Sequence, residues 1–150
     1  MTRPRSTLAL VLLGLGFAAA LVSLVQTGLE VDDKAYVIPG LEDGDEHAQY
    51  HLAREAWMTL GILVVIAVGA FSPPAHRSPR LWLTIFAAVV AYLLGMWSGP
   101  YTQGELAHEA GPLFIHSVAS IGLLAGAIIL RKDFGHRASD LSVPPGERPR

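Results

Sequence analysis

The sequence predicts an all-α integral membrane protein: a four-helix bundle with both termini on the cytoplasmic side and a longer outer loop between the first two helices. The chain of 150 residues is 51% hydrophobic and only 16% charged, which is more apolar than soluble domains of this size. Its apolar residues fall into four long stretches, and its basic residues lie almost entirely in alternate connecting segments. Cysteine is absent, which excludes disulfides and thiolate metal sites.

Each apolar stretch is close to the roughly 20 residues that cross about 30 Å of hydrocarbon. The predicted spans are residues 6–25, 56–71, 81–97 and 113–130, and none contains Asp, Glu, Lys or Arg. Because the second span is the shortest, we expect its helix to extend outward through His51 and Glu55. Pro112 suits the first position of the fourth helix. A soluble bundle is the alternative, but the chain has too little polar protein to cover four helices that are apolar all round.

The basic residues set the predicted orientation. Nine of the eleven lie in the N-terminal segment, the connection between spans two and three, and the C-terminal segment, and only Lys34 and Arg54 lie in the other two connections. Lysine and arginine in short loops favour the cytoplasmic side. We therefore expect both termini inside, in the cytoplasmic membrane of the cell. The sequence has no run of basic residues interleaved with aromatic residues, so it gives no indication of a nucleic-acid partner.

Residues 1–132 are predicted to form the four-span domain. Arg3 and Arg5 precede an apolar stretch, as in a signal peptide, but the stretch is longer than a typical signal core and we expect it to remain as the first span. Residues 133–150 contain three prolines and little that could form a core. They are predicted to be a disordered cytoplasmic tail.

Small residues indicate how the spans pack. Gly122 and Gly126 in the fourth span, and Gly16 and Ala20 in the first, have the spacing that lets membrane helices approach closely. We expect contacts within one chain rather than a dimer face. Aromatic residues are predicted to be interfacial anchors: Trp57, Trp97 and Tyr101 at the outer side, and Trp82 at the inner side.

Histidines and carboxylates cluster on the predicted outer side. In the segment EHAQYHLARE, His47, His51 and Glu55 fall four residues apart and share one face of a helix. Imidazole and carboxylate groups together suit transition metals. The candidate set for a divalent transition-metal site is His47, His51, Glu55, Glu105, His108, Glu109 and His116.

His116 is the only Asp, Glu, Lys, Arg or His residue inside a predicted span. Such a side chain is expected to point into the bundle and to hydrogen-bond Ser120, Thr59 or an outer carboxylate. At about 1.5 Å per residue, His51 and His116 differ in depth by roughly 12 Å. This difference argues against a single site that contains both and against a haem ligated by the pair. Solvated histidines and a purely structural polar contact remain the alternatives.

The HAQYH box before the second span resembles the HARFH-type box of a group of small, uncharacterised bacterial four-helix membrane proteins. The resemblance covers about residues 45–61 and the four-span layout. It implies that His47 and His51 are functional positions. Gln49 and Tyr50 stand where that box has arginine and phenylalanine. No activity comes with the resemblance.

Two functions fit the sequence. The first is a non-enzymatic binding module, or an accessory subunit that contacts other membrane subunits as well as lipid. The second is a membrane enzyme that uses the outer histidines and glutamates on a lipid-like substrate, with a metal or by acid–base catalysis. A transporter is disfavoured because the spans contain no charged residue to line a route.

The predicted orientation can be tested by cysteine labelling, because the chain has no native cysteine. Single cysteines at Gly40 and Gly104 are expected to react with a membrane-impermeant maleimide added to intact cells, and a cysteine at Ser142 only after lysis. The reverse pattern would show that the basic residues lie outside.

Overall fold

The computed structural model describes residues 6–34, 37, 39–40, 44, 46–98 and 110–134. Over these residues the fold consists of helices, with no strand. Four long helices follow one another: α1 Thr7–Glu30, α2 His47–Ala70, α3 Pro79–Met96 and α4 Ala110–Leu130. Two short 3₁₀ turns lie at Pro74–His76 and Arg131–Asp133. The predicted all-α, four-helix fold is confirmed.

All four helices are long and apolar enough to cross a membrane by length and composition, as in a multi-pass membrane protein. Many large apolar side chains point away from the bundle, among them Leu29, Trp57 and Phe114, each at least 70% exposed. The buried core is made mostly of small and medium side chains. An outer surface of this kind suits a hydrocarbon surrounding, since water would make its exposure unfavourable.

The helix ends differ from the predicted spans because hydropathy marks the apolar part of a helix and not its ends. α1 continues past Val25 to Glu30, and α2 begins at His47, so the expected extension through His51 and Glu55 is confirmed. Each of these helices has 24 residues, about 36 Å at 1.5 Å per residue. α4 begins at Ala110 rather than at Pro112. Proline is tolerated there because first-turn N–H groups have no partner within the helix.

Each helix packs against its neighbours in the chain order, and α4 closes the ring on α1 with the most extensive contact in the bundle. Neighbouring helices run in opposite directions, so two ends can be defined. The histidine end holds the C-terminal ends of α1 and α3 and the N-terminal ends of α2 and α4. The terminal end holds the opposite helix ends and the short connection between α2 and α3.

Glycines bring α1 and α4 into backbone contact. A Cβ atom on Gly16 would meet the backbone of Gly122 and Leu123, and one on Gly122 would lie 2.6 Å from the Cα atom of Gly16. A Cβ atom on Gly126 would lie 2.8 Å from the backbone nitrogen of Leu13. The small residues therefore serve an intramolecular contact, as expected. We call this contact the glycine seam.

Aromatic residues close the terminal end of the bundle. The Trp82 indole N–H donates a hydrogen bond of 2.9 Å to the carbonyl oxygen of Ala127, and its ring stacks on Phe86. The Arg131 guanidinium lies over the same indole, 5.3 Å from its centroid. Trp82 therefore joins α3 to α4, a contact that the sequence did not predict. The sequence predicted only an interfacial anchor at this position.

The packed structure continues past Lys132, where the predicted tail begins. The Asp133 carboxylate accepts a hydrogen bond from the backbone N–H of Ser6, and Phe134 is almost fully buried. The Arg77 guanidinium lies over the Phe134 ring. Asp133 and Phe134 thus belong to the bundle, and the rest of the predicted tail, residues 135–150, lies outside the described residues.

The glycine seam predicts where added volume is harmful. Gly122→Leu should lower the free energy of unfolding by about 1–3 kcal/mol or more, because its side chain would collide with backbone rather than with a movable side chain. Gly14→Leu is the matched control, since a Cβ atom on Gly14 meets nothing within 4 Å. Thermal unfolding in mild detergent measures both. Equal stability of the two variants would contradict the close contact.

Candidate functional site

A half-enclosed cavity of about 630 Å³ lies at the histidine end and is lined by residues of all four helices. Its polar lining consists of Ser23, Thr27, His51, Arg54, Glu55, Thr59, Tyr92, Ser98 and His116. Its apolar lining includes Leu24, Ile62 and Met96. Cavities of this size hold small organic ligands in other proteins.

Among the described residues, the helices around this cavity are packed unequally. The glycine seam holds α1 against α4, whereas α2 rests on α1 and α3. No comparable packing joins α2 to α4 within the described residues. Small side chains on the cavity wall add space, since Ala56, Ala91 and Gly95 line it and a Cβ atom on Gly95 meets nothing within 4 Å.

His116 points into the bundle, as predicted, and its partner is on α1. Its Nε2 atom lies 3.2 Å from the Oγ atom of Ser23, and the tautomer decides which of the two donates. The ring also meets the Trp97 indole edge-on, with centroids 6.1 Å apart. The hydrogen bond between Ser23 and His116 therefore joins α1 to α4 on the cavity wall. The expected partners Ser120, Thr59 and the outer carboxylates do not accept or donate to this ring among the described residues.

Ser120 instead supports the backbone next to His116. Its hydroxyl donates a hydrogen bond of 2.7 Å to the carbonyl oxygen of His116 and accepts one of 2.7 Å from the Trp97 indole N–H. Trp97 therefore ties α3 to α4 near the cavity, in addition to its predicted place at the interface. The hydroxyl satisfies polar groups that lipid could not.

His47 and His51 lie in contact on α2. Their Nε2 atoms are 2.9 Å apart, and the rings meet at 75° with centroids 4.5 Å apart. His51 lines the cavity together with Glu55. His47 lies in a neighbouring shallow depression with Asp32 and Glu46. The shared helix face predicted for the two histidines is confirmed, and the pair lies at the rim of the cavity.

The seven-residue metal set stays a prediction. Within the described part of the chain, no group of three or more histidines and carboxylates could hold a metal ion. Glu105, His108 and Glu109 lie outside the described residues. Among the other four, His51, Glu55 and His116 line one cavity. Lining one cavity does not bring these side chains into one metal site, and the depth difference expected between His51 and His116 stays a prediction.

Sequence reasoning missed Ser23, Thr27 and Tyr92 as cavity residues. Ser23 carries a usable signal, since it is the first polar side chain after a long apolar run in α1. Thr27 follows one turn later on the same face, and its hydroxyl donates to the carbonyl oxygen of Ser23. Tyr92 interrupts the apolar run of α3 in the same way. Polar residues that interrupt a span are candidates for the bundle interior.

No family model matches the chain, and no curated protein or solved structure shows significant similarity to it.

The hydrogen bond between Ser23 and His116 predicts a measurable coupling. A double-mutant cycle of Ser23→Ala and His116→Leu should give a coupling free energy between about 0.6 and about 1.7 kcal/mol, the mean and the maximum measured between membrane helices. Unfolding in mixed micelles provides the free energies. Ser117→Ala replaces Ser23→Ala in the control cycle, because the Ser117 hydroxyl donates within its own helix, to the carbonyl oxygen of Leu113. Coupling no larger than in the control would contradict the bond.

Proposed function

We propose that this protein is a non-enzymatic binding module of the cell membrane that holds a single-chain, lipid-like amphiphile in the cavity at its histidine end. The observation that carries this proposal is the mixed lining of one half-enclosed cavity within an otherwise apolar bundle. Ligand sites are typically concave, largely apolar and furnished with a few polar groups that fix orientation.

The cavity supplies both kinds of contact that an amphiphile needs. His51, Arg54 and Glu55 provide donors and acceptors for a polar head group at the N-terminal part of α2. Leu24 and Ile62 provide apolar surface for a chain. The apolar chain of such a ligand leaves lipid for another apolar surface and gains little free energy by doing so. Contacts to the polar head group therefore determine most of the preference for the site over lipid.

The orientation of the chain belongs to the same proposal. The described basic residues of the terminal end include Arg77, Arg80, Arg131 and Lys132, whereas those of the histidine end are Lys34 and Arg54. By the positive-inside rule the histidine end then faces outward and both termini lie in the cytoplasm. The cavity would receive its ligand from the outer leaflet or the outer aqueous phase.

An enzyme remains the second candidate, and one contact favours it. The hydroxyl of Ser23 and the imidazole of His116 are within hydrogen-bonding distance on the cavity wall. In that arrangement an imidazole can take a proton from a hydroxyl that attacks an ester. The same bond also fulfils a structural purpose, because it satisfies two polar groups inside a membrane bundle. A fluorophosphonate probe that labels Ser23 would favour the enzyme.

Filling the cavity should weaken ligand binding several-fold without harming the fold. Gly95→Leu places a side chain into open space on the cavity wall, so we expect the protein to fold and the cavity to be blocked. The probe is a lysophosphatidylcholine with a diazirine in its acyl chain, added to protein in nanodiscs. Labelling of cavity residues, read by peptide mass spectrometry, should fall several-fold relative to the unmodified chain.

Gly61→Leu is the matched control for this experiment. Gly61 also lies in a helix with nothing within 4 Å of its Cβ position, but it does not line the cavity. Labelling of this variant should equal that of the unmodified chain and be competed by unlabelled lysophosphatidylcholine. Labelling that does not saturate and is unchanged by Gly95→Leu would overturn the proposal.

A further inference from the structure

The closest pair of imidazoles in the described part of the chain lies outside the bundle core, at the start of α2. His51 is exposed and His47 is half-buried. Both rings present the Nε2 atom to the other, at 2.9 Å. In a hydrogen bond of this kind one nitrogen carries a proton and the other offers a lone pair. The two Nε2 atoms therefore face the same small space between the rings.

That convergence is close to what a metal ion requires. Two bonds of about 2.0–2.1 Å at a tetrahedral angle place the ligand nitrogens roughly 3.3 Å apart. The spacing of 2.9 Å needs to widen by only a few tenths of an ångström, and rotation of an exposed side chain allows this. The ion would replace the shared proton, and both nitrogens would then act as lone-pair donors.

The surroundings of the pair are suited to a cation. Asp32 and Glu46 share a depression with His47, and Glu55 lies one turn beyond His51 along α2. The cation nearest in sequence, Arg54, lies over the ring of Tyr50, 5.9 Å from its centroid. An excess of carboxylates raises the local concentration of cations.

We propose that His47 and His51 form a two-imidazole clip for a divalent transition-metal ion, Cu²⁺, Ni²⁺ or Zn²⁺, with water completing the coordination shell. Imidazole suits these metals better than it suits Mg²⁺ or Ca²⁺. Histidines four residues apart on a helix are a recognised ligand spacing. The clip needs only two protein ligands, so it is compatible with the lack of any three-residue group in the described chain. It does not depend on a ligand in the cavity.

The test uses the full chain in mild detergent, stripped with a chelator and titrated with CuCl₂ and ZnCl₂ by calorimetry. We expect about one ion per chain, with affinity falling on acidification because a bound imidazole must give up its proton. His47→Ala and His51→Ala should each weaken binding at least roughly tenfold, since even groups that only orient a ligand contribute about 10–100-fold. Electron paramagnetic resonance of the Cu²⁺ complex should show two coordinating nitrogens.

A register variant provides the sharpest control. His47→Gln combined with Gln49→His keeps the composition and the number of histidines but places them two residues apart, where helical side chains do not face each other. Binding should weaken by as much as in the alanine variants. His76→Ala, in the turn between α2 and α3, should leave it unchanged. Absence of stoichiometric metal in the unmodified chain, or undiminished binding by the register variant, would overturn the clip.

Discussion

The glycine seam between α1 and α4 is the constraint on which the rest of the bundle depends. In lipid, helices gain little from hiding apolar side chains, so the closeness of their backbones decides how firmly they associate. Here Gly16 and Gly122 touch through backbone atoms, and fully buried alanines at Ala9, Ala20, Ala119 and Ala127 extend the contact. No other helix pair in the described chain is packed as extensively. The helices α2 and α3 pack less extensively, each against its two neighbours in the ring.

The seam and the aromatic contacts make the two ends of the bundle different in character. At the terminal end, Trp82, Arg131 and Phe134 close the space between helices. At the histidine end, hydroxyls and imidazoles take the place of that packing, and a cavity remains among them. Polar side chains at this end hydrogen-bond each other, as Ser23 does with His116. Among the described residues, no buried polar side-chain atom lacks a hydrogen-bond partner.

Much of the fold could be predicted from the sequence because hydropathy and small-residue spacing are local signals. The four helices, the inward direction of His116 and the intramolecular role of Gly122 follow from such signals. The partner of His116 could not be predicted in the same way, since Ser23 is distant in the chain and only the rotation of α1 about its own axis brings it near. Glu105, His108 and Glu109, the other members of the predicted metal set, lie outside the described residues.

The most closely packed pair of helices is also the first and the last of the four described helices in chain order. Ser6 and Asp133, which hydrogen-bond across the terminal end, are 127 residues apart in the chain. During translation α1 is therefore made before its main partner, which follows only after α2 and α3. Contacts between distant parts of a chain form late because the loop between them has to close first. A chain that stops before α4 would therefore leave Gly16 and its small neighbours on α1 without the surface they pack against.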